Sequence, residues 1–121
     1  METTTDQKIL DWAEERDLFT KSNPLKQLEK TLEEVIELRD EVVRYDQVAS
    51  MASMIPSFRY LEMLEEIHDK AKKELGDIHV TLTILAKMLD MVTEECKWLA
   101  YNKIANRTGT TVGGKFVKDA E

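Results

Sequence analysis

The positions Leu61, Leu64, His68, Ala71, Leu75, Ile78, Leu82, Leu85 and Leu89 follow an unbroken alternation of three- and four-residue steps. Such a period fits an α-helix and no strand, because strand side chains change face at every residue. It predicts one long helix after Pro56, with Ser57 as its cap and Gly76 inside it at some cost in helix propensity. A stripe of that length needs a partner helix, so the feature commits the chain to helix-on-helix packing.

The partner is upstream. Leu25, Leu28, Leu32, Val35 and Val42 step by threes and fours, interrupted at Arg39. Pro24 behind Asn23 reads as a first-turn proline after a capping residue, and the helix is expected to reach about Tyr45. A short helix is expected over 7–16 and a last one from Thr93, as its N-cap, to about Arg107, closed by Gly109. Segment 46–56 has no clean period and carries Met51 and Met54, which predicts a mobile loop or lid. The expected architecture is an all-α, four-helix-type bundle in one domain, 1–121, with 109–121 an extended tail. Four Gly and two Pro among 34% charged residues agree with it.

Charge narrows the function. With 17 Lys+Arg against 24 Asp+Glu the net charge is −7, which argues against nucleic-acid binding by broad cationic attraction. The single cysteine, Cys96, excludes an internal disulfide framework and a multi-cysteine zinc site. No stretch approaches the ~20 apolar residues of a membrane helix, and the N-terminus lacks a secretory signal's layout, so the expectation is no membrane partner and a cytoplasmic location. A chain of 14.0 kDa buries only about two-thirds of its unfolded surface, which favours an oligomer.

Beside the apolar stripe of the second helix runs a polar one: Gln27, Lys30, Glu34, Glu37 and Glu41, with Glu33 adjacent. On the long helix Lys70, Glu74, Asp77 and Thr81 repeat the spacing. Helices packed by their apolar stripes would bring Glu34 and Glu37 across from Glu74 and Asp77. Four converging carboxylates repel and raise one another's pKa unless a cation neutralises them. Oxygen-only ligands select magnesium or manganese over zinc. Solvated helix faces with an ordinary Lys30–Glu34 pair are the competing reading of the same spacing.

Glu33-Glu34-Val35-Ile36-Glu37 followed by Glu74-Leu75-Gly76-Asp77 resembles the EExxE…ExxD signature of the MazG-like all-α nucleoside triphosphate pyrophosphohydrolases. Trp12-Ala13, Gln27-Leu28-Glu29-Lys30, Lys103-Ile104-Ala105-Asn106-Arg107 and Gly113-Gly114-Lys115-Phe116-Val117-Lys118 are similar to flanking segments of that family, so the likeness spans nearly the whole chain. Residues 38–73, between the motif halves, form a longer insert than the family's common pattern.

The resemblance implies a magnesium-dependent hydrolase that cleaves a (deoxy)nucleoside triphosphate to monophosphate and pyrophosphate, assembled as a homodimer or homotetramer. It implies Glu34, Glu37, Glu74 and Asp77 as metal ligands. Glu33 or Glu37 would activate water, and Trp12, Lys30, Lys103, Asn106, Arg107 and Lys115 would bind substrate, with Lys118 a weaker candidate. A phosphoribosyl-ATP pyrophosphohydrolase is the alternative within enzymes. A non-enzymatic helical interaction module is the alternative outside them.

Overall fold

The computed structural model describes residues 2–120. They form five α-helices and one two-stranded sheet, in two compact units that divide between Asp90 and Met91.

In the first unit α1 (Thr5–Glu15) is capped by Thr4, whose hydroxyl accepts from the Gln7 N–H at 3.1 Å. A short α2 (Leu18–Lys21) follows Asp17, which takes a left-handed conformation at φ 59°. The 27-residue α3 (Pro24–Ser50) begins as the sequence predicts: Pro24 occupies the first turn, and the Asn23 side chain accepts from the Lys26 N–H at 2.9 Å. It ends at Ser50 rather than near Tyr45. Val48 is buried, so packing extends the helix through a stretch whose local pattern is weak. A single 3-10 turn (Ala52–Met54) then leads to α4 (Ser57–Met88), 32 residues long, whose N-cap is Pro56 without a side-chain capping bond.

α3 and α4 pack antiparallel: Gln27 meets Thr81 near one end, and Glu34 meets Glu74 further along. The face that α3 turns toward α4 is not the apolar stripe. Gln27, Thr31, Glu34 and Val48 are its buried residues, whereas Leu25, Leu28, Leu32, Val35 and Val42 are exposed. On α4 the buried set is Ile67, Ile78, Thr81, Thr83 and Ile84. Burying so many polar groups works because each threonine hydroxyl donates to a backbone carbonyl of its own helix: Thr31 to Gln27 at 3.1 Å, Thr81 to Ile78 at 2.8 Å, and Thr83 to His79 at 2.9 Å. α1 also lies on α4, and its Ala13 is fully buried.

In the second unit α5 (Thr93–Ile104) starts at Thr93, with Val92 as N-cap, and has no buried residue. The expected extended tail is a β-hairpin: β1 (Gly109–Val112) pairs antiparallel with β2 (Lys115–Lys118). Gly113 and Gly114 make its two-residue turn at φ 57° and 78°, which glycine adopts without strain. Among the described residues no helix is long and apolar enough to cross a membrane.

Candidate metal centre

Glu34 and Glu37 stand one turn apart on α3, so both lie close to α4 where Glu74 rises to meet them. Each of the three can place a carboxylate oxygen within 4.8 Å of the other two. Their environments differ: Glu34 is buried, Glu74 half-buried and Glu37 exposed at the rim.

One oxygen of Glu34 and one of Glu74, both named Oε2, are buried without a hydrogen-bond partner. A buried carboxylate oxygen without a donor carries a desolvation penalty that a proton or a cation must relieve. Glu37 can hold that proton. Sharing it first with Glu34 and then with Glu74, next to their charge, pushes the Glu37 pKa up from its ordinary 4.5 to about 7. A hard cation would do the same work for all three groups at once, so the donor set fits magnesium or manganese.

Glu34 receives help on one side only. The Lys30 Nζ lies 3.3 Å from Glu34 Oε1 and 3.4 Å from Glu33 Oε2, and these hydrogen bonds, Glu34's first, raise the lysine's pKa further. Lys30 thus leaves the inner Oε2 untouched. Glu33 is exposed beside Lys30 and outside the three-carboxylate group. Asp77 is exposed one turn beyond Glu74 and is not part of the group either.

Below the carboxylates Gln27 ties the two helices together, its side-chain N–H donating to the Thr81 carbonyl at 3.1 Å. Sequence reasoning put Gln27 in the polar stripe without seeing this role. The signal available was a glutamine in register with glutamates that themselves face the partner helix.

Trp12 lies in the same unit, on α1. With Thr5, Lys8, Ile9 and the α4 residue Val80 it lines an almost wholly apolar pocket of about 320 Å³. The Arg16 guanidinium sits over the indole, 4.3 Å from the ring centroid. His68 is exposed on α4.

The second unit gathers Lys103, Asn106 and Arg107 with Thr108, Lys118, Asp119 and Ala120 around a cleft of about 630 Å³. Three cations against one carboxylate make it electropositive in an acidic chain. Lys115 does not line it; it pairs with Val112 next to the hairpin turn. Lys118, at the end of β2 beside Asp119, does line it.

Comparison of the sequence with known protein families and with curated proteins, and of the structure with solved structures, gives no match.

Proposed function

We propose that this chain is a magnesium-dependent nucleoside triphosphate pyrophosphohydrolase of the MazG-like kind, acting as a homo-oligomer. The observation that carries the reading is the convergence of Glu34, Glu37 and Glu74 from two helices, with two buried carboxylate oxygens that lack a donor. A purely structural polar contact would satisfy those oxygens. Their geometry suits a group that brings positive charge.

Glu34, Glu37 and Glu74 would hold the ion, with Asp77 one turn further along α4 as the candidate for a fourth ligand. An ion held by these residues would supply the positive charge that a triphosphate's oxygens require. Glu34 and Glu74, the more buried pair, fit the role of permanent ligands. Glu37, the exposed member at the rim, is the carboxylate best placed to meet a water from solvent; Glu33 is already engaged by Lys30. Lys30 holds Glu34 and Glu33 in place. The Trp12 pocket, in the same unit as the carboxylates, is apolar and of a size for a nucleobase.

The deciding experiment incubates the protein with a panel of dNTPs, NTPs and phosphoribosyl-ATP in magnesium and resolves the products. Monophosphate plus pyrophosphate supports the reading; diphosphate plus phosphate, or no turnover of any substrate, rejects it. Release of pyrophosphate from phosphoribosyl-ATP alone would move the assignment to that substrate. The exposed apolar face of α3 favours a second reading, a helical interaction module. That reading predicts no thermal shift with magnesium.

A further inference from the structure

We infer that the exposed face of α3 is a two-fold interface on which a second copy of this chain lays its own α3 antiparallel, with Glu29 of each copy meeting Arg39 of the other. The inference deepens the oligomeric part of the reading above and does not depend on the hydrolase part.

The face is continuous. Leu25, Leu28, Leu32, Val35, Ile36, Val42 and Val43 all lie on it, with Leu25 66%, Ile36 57%, and Leu32 and Val42 55% exposed. At 100° per residue these side chains span about 120° of α3, centred roughly 120° round the helix from the Gln27–Thr31–Glu34 face that meets α4. Two long helices that pack through threonines and glutamate leave their most apolar stripe outside. The chain's own buried apolar set is small: Ala13, Val48, Ile67, Ile78 and Ile84.

Charge identifies the occupant as another α3. Arg39 breaks the apolar row, and Glu29 borders it; neither has an ion pair within the chain among the described residues. A two-fold axis close to residue 34 brings antiparallel copies into a single register. Leu25 then stands level with Val42 and Val43 of the second copy, Leu32 with Val35 and Ile36, and Glu29 with Arg39. The same operation that matches apolar to apolar therefore matches the one cation in the row to an acid at its edge. A two-fold interface requires this self-complementarity, and an unrelated partner would not.

The test is the molar mass of the full chain by light scattering, which needs no turnover. The wild type is expected at twice 14.0 kDa or a multiple of it. Leu32→Glu is expected to lower the mass. Arg39→Glu and Glu29→Arg should each weaken association by about tenfold or more, and the double reversal should restore it. All three sites are exposed in the single chain, so circular dichroism should show its helices unchanged. A wild-type mass of 14.0 kDa at tens of micromolar overturns the inference. So does an oligomer indifferent to Leu32→Glu, or one that the double reversal fails to restore.

Discussion

Glu34 on α3 and Glu74 on α4 each bury one carboxylate oxygen, Oε2, without a hydrogen-bond partner, and each of the two has a carboxylate oxygen within 4.8 Å of one from Glu37, whose proton they share. An arrangement so short of positive charge responds to anything that supplies it.

Magnesium or manganese should therefore raise the melting temperature. At about a hundred times its dissociation constant a single bound ion stabilises by ~2.7 kcal/mol, about ten degrees in a chain of this size. Glu74→Gln should remove most of that shift while Glu33→Gln retains it. Differential scanning fluorimetry with and without the metal checks both, and equal shifts in the two variants would place the ion elsewhere.

Stability without metal should fall as the pH rises. The unfolded Glu37 loses its proton near 4.5 and the folded one near 7, so between those values the folded state holds the extra proton. Raising the pH through that window withdraws a stabilising contribution, which is absent above about 7. Glu37→Gln should flatten the profile and should lower turnover by about a hundredfold or more, with helicity unchanged. A pH–melting curve in chelator shows the first effect and an assay in magnesium the second.

Gln27→Ala should destabilise by about 1–3 kcal/mol, because it empties a buried site and removes the bond to the Thr81 carbonyl. Gln27→Leu keeps most of the volume and should cost less. Urea unfolding of the two variants measures the difference, and equal costs would mean that volume contributes nothing at this site.

Gly109→Ala should unpair the hairpin, since a Cβ there would run into the Val117 carbonyl and the Phe116 ring. Cross-strand NOEs between Thr110 and Val117 are the readout. They should vanish in Gly109→Ala and persist in Thr111→Ala, whose side chain is exposed.

Helices were legible in the sequence because their causes are local. The three-four period, Asn23 before Pro24, and the sparse glycine act within a few residues, and α3 and α4 appear where those signals stand. The acidic motif was legible in the same way: residues spaced by one turn share a helix face whatever packs on it. The hairpin was missed although Gly113-Gly114 announced its turn, since two short strands with mixed polarity carry little pattern of their own.

By itself, then, the sequence determined the two long helices, though not their ends, and that Glu34, Glu37 and Glu74 stand on the sides of those helices. Only the tertiary structure decided which sides meet. α3 offers an apolar face and a polar face, and local periodicity says nothing about which of them the neighbouring helix takes. α4 takes the polar one, with the buried threonines bonded to their own backbone and Gln27 bonded to Thr81. That choice brings Glu74 to Glu34 and Glu37, leaves Asp77 outside the group, and turns Leu25, Leu32 and Ile36 outward. The physical reason is that burial is a property of pairs of surfaces, whereas the period is a property of one helix.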